Sequence, residues 1–143
     1  MNRIVKILLA LSAVVGGILT ASQPVHAITH YVQLSTPTIF VHGWGSSSHA
    51  EEKMANAARN AGVTRTIVKA NVDKQGRVSF NREIPAHAVN PIVEVNYQNN
   101  RQLDFQKHGE WAGNVVRALQ QRYGIKKVNM VGHSLGNISI MYY

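Results

Sequence analysis

The chemistry in this sequence concentrates at Gly132-His133-Ser134-Leu135-Gly136. A serine hydroxyl is a weak nucleophile until geometry and a neighbouring base activate it. The Gly-x-Ser-x-Gly spacing supplies the geometry, because a strand-to-helix turn this tight would drive side chains two positions either side of the serine into the adjoining strand and helix. Hence Gly132 and Gly136. Ser134 is expected to stand with its hydroxyl exposed above a sheet. The backbone N–H of Leu135 falls at the positive end of the following helix, where it can hold a developing oxyanion. The reaction such a group performs is acyl transfer. At ordinary glycine and serine usage the bare pattern arises by chance in roughly one sequence in twenty, so its context decides.

The elements around the motif have the required order. Val128-Asn129-Met130-Val131 reads as a strand, and Asn137 to Tyr143 as the beginning of a helix. Much earlier, Thr38-Ile39-Phe40-Val41 is a short apolar run after Pro37 that suits a buried strand of a parallel sheet. It leads into His42-Gly43-Trp44-Gly45, and a His-Gly loop after an earlier strand is where serine hydrolases with this elbow find a second oxyanion donor. Ser48 and Glu51 have the spacing of a capping box. A helix is therefore predicted from Ser48, with Met54, Ala57, Ala58 and Ala61 on one face and Gly62 as its stop. Thr64 to Val72 is rich in β-branched residues, and Asp73-Lys74-Gln75-Gly76 turns it back into Val78-Ser79-Phe80 as a hairpin. Pro85 to Pro91 reads as loop and Ile92 to Tyr97 as a further strand. The pattern leaves open whether that strand or the Thr64 segment lies beside Ile39. Asn99 to Gly109 reads as a polar loop. Glu110 to Tyr123 is predicted to be a helix that lays Trp111, Val115 and Leu119 on the sheet and ends at Gly124.

These motifs together resemble the α/β-hydrolase superfamily, and within it the secreted and cell-surface α/β hydrolases of Gram-positive bacteria. The resemblance rests on His42 to Ser47, Ala61-Gly62-Val63-Thr64, Asn90 to Asn96 and Val131 to Asn137. It implies an α/β fold with a mostly parallel sheet and flanking helices. It also implies Ser134 as nucleophile, the Trp44 and Leu135 amides as oxyanion hole, and Gly43, Gly132 and Gly136 as the glycines that let loop and elbow approach. The implied substrate is a small-molecule or lipid-like acyl compound, an ester before an amide, with no cofactor.

One departure from the family pattern is large. The triad of that superfamily runs serine, acid, histidine along the chain, and only Asn137 to Tyr143 follow Gly136, with no Asp, Glu or His among them. Residues 28–143 are thus expected to form the N-terminal portion of the fold, without its C-terminal strands and catalytically incompetent alone. The strand at Val128 would then form an exposed hydrophobic edge. Upstream histidines do not replace the missing one. His42 belongs to the oxyanion loop, His133 is expected to point away from Ser134, and His30, His49, His87 and His108 are expected to be solvated loop histidines. Asp104 is expected to cap or solvate its loop rather than serve as the acid. No histidine spacing suits a metal ion.

The chain's 143 residues carry 15 Lys+Arg against 7 Asp+Glu, 45% hydrophobic residues and no cysteine. That is one domain's length, with enough apolar content for a core and no disulfide framework. Arg3 and Lys6 precede an apolar stretch from Ile7 to Leu19, and Pro24-Val25-His26-Ala27 offers a small-residue cleavage site. Residues 1–27 read as a secretory signal peptide cleaved after Ala27, which places the protein outside the cell or on its surface. Its removal, with Arg3 and Lys6, lowers the formal charge from +8 to +6. The positive charge is scattered and lacks interleaved aromatic residues, which argues against nucleic acid as a partner. Association with a cell wall or membrane surface is compatible with it. The alternative reading is a non-catalytic exported basic module that binds anionic surface polymers.

Overall fold

The computed structural model describes residues 31–143. The proposed signal peptide, and His30 with it, lies outside the described residues. From Tyr31 onward the chain forms five strands and three α-helices: β1 Thr38–Val41, α1 Glu52–Asn60, β2 Ile67–Val72, β3 Val78–Phe80, β4 Ile92–Tyr97, α2 Phe105–Tyr123, β5 Asn129–Gly132 and α3 Leu135–Met141. The strands make one sheet in the order β3-β2-β4-β1-β5, parallel throughout except for β3. This is the mostly parallel α/β architecture expected from the sequence.

The open question of strand order is resolved in favour of β4. Ile39 of β1 lies in register with Val93 on one side and Met130 of β5 on the other, so the first strand sits inside the sheet. β2 pairs with the far side of β4. The β2–β3 hairpin forms as expected: Asp73 Oδ1 accepts from the amides of Gln75 and Arg77, both at 2.9 Å, and Gly76 takes φ +81°. A side chain at Gly76 would also strike Trp111.

Successive residues of a strand face opposite sides of a sheet, so β1, β2 and β4 each feed two cores. Ile39, Val41, Val68, Ala70, Val72, Val93, Val95 and Tyr97 meet Trp111, Val115, Val116 and Leu119 of α2 in the larger one. Phe40, Ile67 and Ile92 meet Ala55 of α1 in the smaller.

Both helix expectations shift in detail. The 3-10 turn Ser48–Ala50 precedes α1, and its cap is Ser47, whose hydroxyl accepts from His49 N. The capping box does not form. Glu51, at the N-cap of α1, makes no side-chain capping bond and is buried instead. The buried face follows that change: Ala55 faces the core with Ala58 beside it, while Met54 is exposed. The second helix starts at Phe105, one turn before Glu110, because the Asp104 carboxylate accepts from the amides of Gln106 and Lys107. Asp104 is thus a helix cap. Gly62 and Gly124 end their helices at φ +78° and +65°, as the sequence predicts.

Candidate active site

β5 and β1 run side by side, with Val41 in register with Gly132, and the two loops that carry the candidate chemistry leave the sheet together. His133 N donates to Val41 O at 3.0 Å, extending the ladder by one residue. The chain then turns sharply at Ser134, which sits at φ 52°, ψ −120°. This conformation costs a non-glycine residue about 1–3 kcal/mol and persists only where the surroundings impose it. Here they do. Gly136 N donates to His133 O and Asn137 N to Ser134 O, at 2.8 and 2.9 Å, so the first turn of α3 closes at once behind the serine. A Cβ on Gly132 would lie 2.6 Å from Asn137 N, and one on Gly136 would overlap Val41 O. The glycines at both positions are therefore steric requirements of strand, turn and helix meeting at one point.

Gly43 has the same necessity on the facing loop. A Cβ there would come within 3.1 Å of Ser134 Cβ and 3.3 Å of His133 O, so the loop after β1 and the elbow pack closely together. Trp44 follows, half-exposed, and Leu135 opens α3 with its N–H in the unpaired first turn. The residues singled out from sequence, Ser134, Trp44, Leu135, Gly43, Gly132 and Gly136, all fall in the loop after β1 or in the turn that joins the end of β5 to the start of α3. They lie outside the carboxyl ends of parallel strands, where open α/β sheets bind ligands. A surface depression of about 450 Å³, lined by residues of 62–66 and 85–89, is at the opposite ends of the strands and does not include the serine.

His42 is a structural pin. It is buried, its Nε2 accepts from Tyr97 N at 3.2 Å, and its Nδ1 lies 2.7 Å from Gly43 O. The first contact requires a bare Nε2 and the second a protonated Nδ1, which together define a neutral tautomer. Burial lowers its pKa from 6.5, against the opposing pull of the Gly43 carbonyl.

His108 corrects an expectation. Rather than a solvated loop residue it is buried within α2, with Nε2 2.8 Å from Gln102 O and Nδ1 3.2 Å from Ser139 Oγ. Tyr97 and Trp111 pack edge-on or tilted against its ring. Tyr97 brings a hydroxyl that burial leaves without a hydrogen bond and pushes up to about 12. The cluster ties α2 to α3 directly beneath the elbow. Its signal was present in sequence: His108, Trp111, Ala112 and Val115 continue one helical face a turn upstream.

The remaining described histidines are held or exposed elsewhere. His49 pairs with Glu52 at 2.7 Å, His87 is exposed, and His133 Nδ1 lies 3.8 Å from Glu51 Oε1. Two buried carboxylates had no sequence signal. Glu51 and Glu94 each keep an oxygen without a hydrogen-bond partner. Burial raises the pKa of Glu94, partly offset by Lys69.

Comparison with known proteins agrees with the geometry. Residues 26–143 match the family model described as an alpha/beta hydrolase of unknown function, DUF915. The product of gene lin2722 of Listeria innocua is similar in structure, with a TM-score of 0.71 and 26% identity over 76% of this chain and 43% of that one. A candidate cell surface hydrolase from Lactobacillus plantarum WCFS1 shares the fold at a TM-score of 0.64 and 22% identity, over 75% of this chain and 44% of its own. The chain thus spans less than half the length of either solved structure. Among curated proteins none matches. With strand order, elbow and family model in agreement over most of its length, the chain belongs to the α/β-hydrolase family DUF915.

Proposed function

We propose that the protein acts at the cell surface as part of a serine acyl hydrolase, with Ser134 as nucleophile and the Trp44 and Leu135 amides as oxyanion hole. The observation that carries this reading is the strained backbone of Ser134, held at φ 52° against Gly43 of the oxyanion loop. In the reaction the Ser134 oxygen forms a bond to the substrate carbonyl carbon as its proton passes to a base. The carbonyl π pair moves onto oxygen, where the two amides receive it. Collapse expels the alcohol, which takes up the proton, and water then releases the acid by the same two steps. A leader at residues 1–27 and the surface description of the Lactobacillus relative both support an extracellular site of action.

The base is the missing part among the described residues, since each described histidine is bonded elsewhere, exposed away from the elbow, or directed at Glu51. Removing the histidine of such a triad costs about 10⁶ in kcat. Alone, the 143-residue chain is therefore expected to hydrolyse p-nitrophenyl acetate no faster than its Ser134→Ala variant. Free imidazole should supply the absent base and raise the rate of the parent chain above that of Ser134→Ala at equal imidazole. Equal rates for the two folded proteins at every imidazole concentration would remove Ser134 as nucleophile. Efficient turnover without imidazole would show that a described residue already serves as base.

A further inference from the structure

The oxyanion loop has a charged neighbour that the hydrolytic reading does not use. Arg101, in the loop between β4 and α2, lays its guanidinium over the Trp44 ring, 5.5 Å from the centroid. Its loop is fastened to the oxyanion loop by two bonds: Gly45 N donates to Asn100 O, and Asn100 Nδ2 donates to Ser46 O, each at 2.7 Å. The two loops therefore move as one body, and Arg101 is fixed at the side chain whose own amide is the proposed oxyanion donor. A guanidinium within about 6 Å of a ring centroid is attracted by the ring quadrupole, and its N–H groups can still donate to an anion. Among the described residues no carboxylate forms a salt bridge with Arg101.

We propose that Arg101, stacked on Trp44, is an anion subsite that selects acyl esters carrying a phosphate or carboxylate group close to the ester. The proposal rests on the hydrolase reading for its location and adds the substrate class. A charged fork held still beside the oxyanion hole receives an anionic group bidentately, and little ordering cost remains because the indole already restricts the side chain. A neutral ester would reach the same serine without that contact. Free phosphate would meet the fork without the acyl contacts that place it.

The test is equilibrium binding, which needs no turnover. The chain has two tryptophans, of which Trp111 is buried and Trp44 half-exposed, so emission changes on titration report the Trp44 side. The probes are 1-hexanoylglycerol 3-phosphate, 1-hexanoylglycerol and inorganic phosphate, added to the full chain and to the Arg101→Gln and Ser134→Ala variants. The expected result is a Kd about ten-fold lower for the phosphorylated ester than for the neutral one, the size of one charge-assisted hydrogen-bonded contact. Arg101→Gln should abolish that ratio and leave the neutral ester's Kd within about two-fold, while Ser134→Ala should keep the ratio. Equal Kd values for the two esters, an unchanged ratio in Arg101→Gln, or inorganic phosphate binding as tightly as the phosphorylated ester would each overturn the subsite. An Arg101-dependent ratio without Ser134-dependent turnover in imidazole would instead retain the subsite and discard the hydrolytic reading.

Discussion

On one face of the sheet, α2 presses Trp111, Val115, Val116 and Leu119 onto eight buried strand residues, with Ile140 of α3 beside them and a hydrogen bond between His108 and Ser139 joining the two helices. On the other face, α1 covers only Phe40, Ile67 and Ile92, with Ala55 as its one fully buried contribution. Glu94 and Glu51 are buried on that side, each with an unpaired oxygen. The contrast shows where the fold concentrates its rigidity. The helix that follows Ser134 lies on the side of the larger core, where Ile140 packs against it and Ser139 is buried, so the strain at Ser134 is opposed from that side. Unpartnered polar atoms occur on both faces, since the Tyr97 hydroxyl on the α2 side lacks a partner as a Glu94 oxygen does on the other.

The sharpest way to break the packed face is Gly136→Ala, whose new methyl would overlap Val41 O and sit near His42 O, backbone atoms that cannot swing aside. A loss of about 3 kcal/mol in urea unfolding is expected, enough to unfold a marginal domain. A midpoint equal to the parent's would show that α3 is not pinned against β1. Next in size, Leu119→Ala should cost about 3 kcal/mol by leaving a cavity under α2, whereas Met54→Ala on the exposed side of α1 should stay within about 0.5 kcal/mol. Similar losses for both would erase the difference between the faces.

Ser139→Ala removes the hydrogen bond to His108 Nδ1 and leaves a buried acceptor unpaired, for an expected loss of about 1.5 kcal/mol by the same measurement. No loss would mean that the polar cluster contributes nothing to the seat of α3. The smallest effect has the opposite sign. Burial raises Glu94 above its ordinary 4.5, so the folded state holds that proton longer than the unfolded chain does. Its contribution is fully present below 4.5 and is lost as pH rises through the folded value. Glu94→Gln should therefore raise stability by about 1 kcal/mol at pH 7, with the gain vanishing near pH 4. His42 works in the other direction, since its lowered value makes stability fall as pH drops below 6.5. A Glu94→Gln profile parallel to the parent's at all pH values would exclude Glu94 as a burdened carboxylate.

The strands, the hairpin, both helix stops and the elbow were readable because each depends on a local steric rule. Gly132 and Gly136 announce a collision, and Gly62 and Gly124 a left-handed turn. What escaped depends on contacts across the fold. The start of α2 was missed because Phe105 to Gly109 is mostly polar and reads as loop, although His108 continues the face of Trp111, Ala112 and Val115; the Asp104 carboxylate on two amides fixes where the helix begins. Ser48 and Glu51 satisfy the capping pattern, yet Ser48 N is drawn to Asn96 Oδ1 and Glu51 is pulled inward beside His133. Strand order also lay beyond pattern, since β2 and β4 are both apolar and β-branched, and only the third dimension places β4 next to β1. Arg101 gave no signal, because nothing in sequence brings it onto Trp44.

The position of β1 inside the sheet also sets the order of events during folding. The first strand of the described chain finds both neighbours, β4 and β5, only after long intervening segments have been made, and closing such loops carries an entropic cost that local helices and the β2–β3 hairpin avoid. Until Asn129–Gly132 docks beside Thr38–Val41, Gly43 has no serine to face and Ser134 has no reason to adopt its strained turn. The strained turn at Ser134 is therefore shaped by the long-range closure of the sheet, and partly synthesised or partly folded chains carry Ser134 in an ordinary, unstrained backbone.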